Sequence, residues 1–154
     1  MTLEGGIPPA YLALRDPGMH PLGIGTTHDM HSIITGLILP SLAFREYTLM
    51  DKINLWRAKA RNGVSVLWEV ILTTDLSQQV TELDLPVYFF EGIYDYTCSY
   101  ILAKDYFLKI KAPVKGFYTF ENSAHCPIFE EPEKSCKILR EDVLAGTNSL
   151  ADEN

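Results

Sequence analysis

Two stretches of this chain are apolar with little alternation, Val87-Tyr88-Phe89-Phe90 after Pro86 and Lys115-Gly116-Phe117-Tyr118-Thr119-Phe120 after Ala112-Pro113, and each runs into a polar turn. A short apolar run without polar alternation predicts a strand covered on both faces, the habit of parallel sheets. Between them, from about Ser99 to Ile110, Tyr100, Leu102 or Ala103, Tyr106, Phe107 and Ile110 fall on one helical face. Lys104, Asp105, Lys109 and Lys111 fall on the other. The pattern predicts a βαβ unit with a helical crossover. Lys115, Gly116 and Thr119 make the second strand the more polar one, which predicts a place nearer the sheet edge.

Before this unit the periodicity is helical. Residues 1–28 are broken by glycine and proline and admit one short helix near Ala10 to Arg15. Ile33, Ile34, Leu37 and Ile38 then form an apolar face that Pro40 ends or bends. A second helix is expected from Ser41 or Leu42, with Phe44, Tyr47, Met50, Ile53 and Trp56 on one side, until Asn62-Gly63 breaks it. A third carries Val64, Leu67, Trp68 and Ile71 inward. The aromatic stripe reads as core, or as the wall of a substrate cavity. After the second strand, Pro132 with Glu130, Glu131 and Glu133 marks a helix start and Gly146 a stop, with Ile128, Phe129, Cys136, Leu139 and Val143 facing the sheet. TNSLADEN reads as a polar tail.

Candidate chemistry sits just past the two strands, at Asp95 and His125. Parallel strands joined by one crossover deliver their C-terminal ends to the same sheet edge, so residues thirty positions apart can meet there. A carboxylate and an imidazole in contact are two thirds of a nucleophile triad, the acid fixing the tautomer of the base. Equally, an acid after one strand and a histidine after the next can be turn residues only.

The turns themselves read Gly92-Ile93-Tyr94-Asp95 and Asn122-Ser123-Ala124-His125-Cys126-Pro127. They resemble the G-x-x-D acid turn and the N-x-G-H-x-P histidine turn of the α/β-hydrolase superfamily, and most closely its proline-iminopeptidase-like branch, where the acid turn is often GRYD. Ile93 replaces that arginine and Ala124 the glycine. The resemblance is specific over about Leu83 to Leu144, and the N-terminal half would correspond to the helical lid. It implies an α/β class with an incomplete fold: a helical cap or lid over 1–80, the last βαβα unit of the hydrolase sheet over 81–146, and the tail over 147–154. It also implies a serine hydrolase of ester or amide bonds, aminopeptidase or esterase, without cofactor. Asp95 would be the orienting carboxylate and His125 the general base and then acid, acting on a small-molecule or short-peptide substrate.

The nucleophile is missing from this reading. The family needs a serine on a strained G-x-S-x-G elbow, and none of the serines at 32, 41, 65, 77, 99, 123, 135 and 149 has glycine two before and two after. The strands that would carry the elbow are not in the pattern either. The expectation is a lid and C-terminal part of a larger hydrolase, inactive alone, whose exposed sheet edge favours self-association. The rival reading is a non-catalytic binding module that kept this framework, with its sheet edges covered.

Composition trims the alternatives. In 154 residues, 47% hydrophobic and 21% charged, the balance is globular, and a formal charge of -7 disfavours nucleic acid or an anionic membrane as partner. No apolar run is long enough to span a bilayer, and the N-terminus lacks the pattern of a signal peptide. Cys98, Cys126 and Cys136 form no C-x-x-C pair, which leads to the expectation of a reduced, cytoplasmic protein. Cys98 and Cys126, near the proposed acid and histidine, each read as a small hydrophobe before they read as a nucleophile. His20, His28 and His31 raise a metal site, against which stands a helix cap near Thr27 or Asp29. Gly23-Ile24-Gly25-Thr26-Thr27 lacks the lysine of a phosphate loop and reads as a plain loop.

Overall fold

The computed structural model describes residues 9–22, 25–62 and 67–152. It is an α/β chain in which helices precede, join and follow a two-stranded parallel sheet. In order come α1 (Pro9–Met19), π-helical turns at Ile34–Ile38, α2 (Leu39–Ala43), α3 (Leu49–Asn62), α4 (Leu67–Thr73) and α5 (Leu76–Gln79). Then follow β1 (Val87–Gly92), α6 (Tyr100–Lys109), β2 (Lys115–Phe120), α7 (Pro127–Glu130) and α8 (Pro132–Ile138), which runs on into π-helical turns at Leu139–Val143.

The first half departs from the periodicity in its boundaries. The helix expected from Ser41 starts at Leu49, because Phe44 is extended and Thr48 and Asp51 cap each other. The Thr48 N–H and hydroxyl both donate to the Asp51 carboxylate, and the Asp51 N–H returns to Thr48 Oγ1. No helix begins at Thr27 or Asp29. Ser32 is the capping residue instead, its hydroxyl taking the Ile34 N–H at 3.1 Å. Gly25 packs against the buried Met30 side chain, where a Cβ would lie 2.8 Å from its sulfur. Gly23 and Val64 lie outside the described residues, as does the Gly63 half of the helix break. Phe44 and Tyr47 meet edge to face at 5.0 Å and are both exposed.

The sheet is where the pattern reading holds best. β1 and β2 pair in parallel, Val87 opposite Lys115 through Gly92 opposite Phe120. Both faces are covered, as the unbroken apolar run of β1 requires. On one face Phe89 and Phe117 pack against Phe107 of α6, with ring centroids 5.6 and 5.3 Å away, and Tyr100 closes on Phe117 at 5.5 Å. On the other, Tyr118, Phe120 and Ile138 form the buried cluster, flanked by Tyr88, Phe90, Val143, Leu150 and Ala151. Of the two alternatives on α6, Ala103 is the half-buried one and Leu102 is exposed.

Two expectations about the C-terminal part are corrected. β2 is more buried than β1, although its sequence is more polar, because residues 148–152 close its outer edge. The Asp152 N–H donates to Phe117 O at 2.9 Å, the Asp152 carboxylate takes the Thr119 N–H at 3.0 Å, and Asn148 donates to Lys115 O at 2.8 Å. The segment read as a tail is thus docked along the sheet. The helical segment after His125 also faces inward with Ser135, Ile138 and Asp142, not with Ile128, Phe129, Cys136 and Leu139, which stay exposed. Gly146 does end it, with φ at +67°.

Asp142 explains that polar inner face. Its fully buried carboxylate accepts from the Tyr118 hydroxyl, the Leu150 N–H, the Thr147 hydroxyl, and both the N–H and hydroxyl of Ser149, each at 2.8 Å. Burial by itself would raise its pKa. The converging donors outweigh burial and hold it well below the usual carboxylate range.

Candidate active site

Because the strands run in parallel and in register, the turns that follow them leave the same sheet edge and lie against each other. Two backbone bonds stitch them, Ile93 N–H to Phe120 O at 3.0 Å and Tyr94 N–H to Ser123 O at 3.1 Å, and a third, Asp95 N–H to Gly92 O at 3.1 Å, closes the first turn. Gly92 is required by this approach. A Cβ there would stand 2.2 Å from Ala124 O and 2.3 Å from Ser123 O, both rigid backbone atoms. Gly92→Ala is therefore expected to push the turns apart and to lower stability by about 1–3 kcal/mol, as overpacking does. Loss of the NMR cross-peaks between Asp95 and His125 in that variant would check it.

The two residues singled out by sequence meet here. His125 Nδ1 lies 2.7 Å from Asp95 Oδ2, with the Asp95 side chain 4% exposed and the His125 side chain 40%. Asp95 Oδ1 is occupied separately, by the N–H groups of Thr97 at 2.8 Å and Cys98 at 2.9 Å. A carboxylate clamped on both oxygens has one orientation. It fixes the neutral imidazole as the Nδ1–H tautomer, leaving the Nε2 lone pair for a third group.

The support of the histidine turn is what sequence reasoning missed. Glu130 and Glu131, read as helix first-turn charges, reach back to it instead. Glu130 takes the Ala124 N–H at 2.9 Å and also the His28 N–H. Glu131 takes the Asn122 N–H at 3.0 Å and the Ser123 hydroxyl at 2.7 Å. His28, raised as a metal ligand, stacks on Tyr94 at 3.7 Å between ring centroids and 9° between planes, and donates from Nδ1 to Asn122 O at 3.2 Å. It touches both turns at once. The contacts of His28 join residues far apart in the chain, beyond any local pattern, whereas those of Glu130 and Glu131 with the histidine turn span six to nine positions. Tyr96 and Glu121, beside the two turns, are exposed.

Glu91, at the end of β1, adds charge to the site. Burial, and then the field of Asp95, push its carboxyl up to about 7, against the opposing pull of His125. A carboxyl raised in the fold favours the folded state in its protonated form, so the stability it contributes is present below the ordinary value of 4.5 and is lost as pH rises through about 7. Glu91→Gln is expected to remove that decline. Urea unfolding at pH 5 and pH 8 should show wild type losing more stability over this window than the variant.

Two cysteines, Cys98 and Cys126, lie near the pair. Burial, then the Asp95 and Glu91 charges, push the Cys98 thiol up, and burial with Glu130 and Asp95 does the same to Cys126. Thiols so placed are poor nucleophiles. Among the described residues the one group of three metal-capable side chains is Asp95, Cys98 and His125, so His20, His28 and His31 are not brought together.

No helix among the described residues is long and apolar enough to cross a membrane. No protein-family model matches the chain, and no solved structure matches it. Among curated proteins, a stretch of 60 residues, 39% of this chain, is 38% identical to the "Probable aminopeptidase YbaC" of Bacillus subtilis (strain 168). That stretch is 19% of the relative, so the match spans about a fifth of its length. The chain is thus similar, over part of its length, to a protein named as an aminopeptidase, and a hydrolase is the class of activity to which this points.

Proposed function

We propose that this chain carries the acid and the base of an α/β-hydrolase, with Asp95 orienting His125 and with the nucleophilic serine supplied by residues outside these 154. The observation that carries the reading is the 2.7 Å contact between His125 Nδ1 and a buried, doubly clamped Asp95, formed by turns that follow two parallel strands. In that role His125 Nε2 takes the proton of the attacking hydroxyl and returns it to the leaving group, while Asp95 stabilises the imidazolium. The bond cleaved is an ester or an amide, and the relative's name favours a short peptide.

The helical region over 1–80 is the lid in this reading, and 81–152 the end of the sheet. Two features favour it over a self-contained binding module. Among the described residues no strand pairs with the outer edge of β1, where the backbone groups of Tyr88 and Phe90 point. Large apolar side chains such as Leu49, Met50, Leu67 and Ile71 are exposed on the helices. Both suit a surface that packs against further chain, or against a second copy. The expected result for the 154-residue protein alone is no turnover of a p-nitrophenyl ester or an aminoacyl-anilide. Steady turnover that disappears in His125→Ala would show a nucleophile within the chain and overturn this assignment of parts.

A further inference from the structure

The turn that clamps Asp95 also returns a thiol to its side. Because Asp95 Oδ1 accepts the N–H groups of Thr97 and Cys98, the chain curls around the carboxylate. One donor atom each from Asp95, Cys98 and His125 then lie within 4.8 Å of one another. We propose that these three residues form a binding site for a thiophilic divalent cation of the Zn²⁺ type.

Carboxylate oxygen, thiolate sulfur and imidazole nitrogen are the donors that tetrahedral Zn²⁺ takes, and three of them leave a fourth position for water. A hard cation such as Mg²⁺ or Ca²⁺ prefers all-oxygen surroundings and has no use for the sulfur. Access and support are both present. Cys98 and His125 are exposed and can turn toward an ion, whereas Asp95 is buried and held by two backbone N–H groups, the outer-shell bonding that orients a ligating carboxylate. On binding, the Cys98 thiol gives its proton to solvent and the sulfur lone pair forms the bond to the metal, with no change of oxidation state. An ion in this place removes His125 from acid–base work. That consequence rests on the hydrolytic reading above, whereas the binding itself does not.

The test uses the full 154-residue chain carrying Cys126→Ser and Cys136→Ser, so that Cys98 is the remaining thiol. Co²⁺ is expected to bind one per chain, with a sulfur-to-metal charge-transfer band in the near ultraviolet, and Zn²⁺ to displace it. Adding Cys98→Ser should abolish the band and weaken Zn²⁺ binding in calorimetry by at least about 100-fold, since even outer-shell partners are worth 10–100-fold. His125→Ala should weaken it by at least about 10-fold on the same grounds. Far-UV circular dichroism verifies that each variant is folded, and the exposed positions of both side chains make them tolerant of substitution. Absence of the band, or Zn²⁺ affinity unchanged in the folded Cys98→Ser or His125→Ala protein, would overturn the proposal. Binding that follows this pattern in a chain without any hydrolytic role would leave the site standing and refute only the inhibitory consequence.

Discussion

Asp142→Ala is expected to destabilise the C-terminal half of the chain by about 3–5 kcal/mol, because it removes several hydrogen bonds to a charged acceptor, each worth about 1.5–3 kcal/mol. Five donors converge on this carboxylate, from Tyr118, Thr147, Ser149 and Leu150. Without it, the buried Tyr118 hydroxyl is left with no acceptor, at a cost of about 1–3 kcal/mol, and the part-buried donors of Thr147, Ser149 and Leu150 lose theirs. The damage spreads, because the same bonds hold residues 147–152 along β2. Hydrogen exchange should therefore quicken at Thr119 and Asp152 as well as at Ser149 and Leu150. The pH signature distinguishes this carboxylate from a generic core residue. Its pKa is lowered in the fold, so its contribution is present above the ordinary carboxylate range and is lost as pH falls through and below it. Wild type should lose stability steeply on acidification below about pH 4, and Asp142→Asn should flatten that loss. Urea denaturation of the two proteins across this range is the measurement. Equal slopes would show that the carboxylate charge is not what the donors hold.

How far the sequence discloses the molecule depends on whether the determinants are local. The βαβ unit was legible because two features sufficed, apolar runs without alternation at Val87 to Phe90 and at Phe117 to Phe120, and a helical face through Tyr106 and Phe107. Asp95 and His125 were legible because parallel topology sends both strand ends to one edge, and the backbone then brings them within 2.7 Å. The inner face of α8 and of the turns after it was not, since two of its buried positions, Ser135 and Asp142, are polar residues that a hydrophobic pattern assigns to solvent. Asp142 is stable there because Tyr118 and the segment after Gly146 supply donors, and Ser135 because its hydroxyl donates to Pro127 O at 3.4 Å. The covered edge of β2 was hidden for the same reason. TNSLADEN looks like a tail, yet its polar atoms match the unpaired backbone groups of Lys115, Phe117 and Thr119. In the first half the start of α3 at Leu49 is set by the Thr48–Asp51 capping pair, a signal that was present in the sequence and was outweighed by the aromatic spacing.

The site shows the same division. Gly92 and His28 acquire their roles from contacts across about thirty and about ninety residues, Glu130 from one across six, and each acts on backbone of the histidine turn. The dyad is therefore held from both sides, by the acid turn through Gly92 and by α7 through Glu130. Such a preorganised pair has a large predicted effect on rate. In a Ser-His-Asp triad, the role proposed for this pair, removing the orienting carboxylate lowers kcat by about 10⁴-fold, because the imidazole is left in the wrong tautomer. At 1.36 kcal/mol per tenfold this is about 5 kcal/mol of transition-state stabilisation.

The measurement that bears most directly on this account is made in a chimaera, in which residues 81–152 of this chain replace the corresponding part of the Bacillus subtilis aminopeptidase relative. The account predicts that the chimaera hydrolyses an aminoacyl-anilide, that Asp95→Asn lowers kcat by about 10⁴-fold with little change in KM, and that His125→Ala lowers it at least as far. Hydrolysis that survives both substitutions at the rate of the unsubstituted chimaera would contradict it.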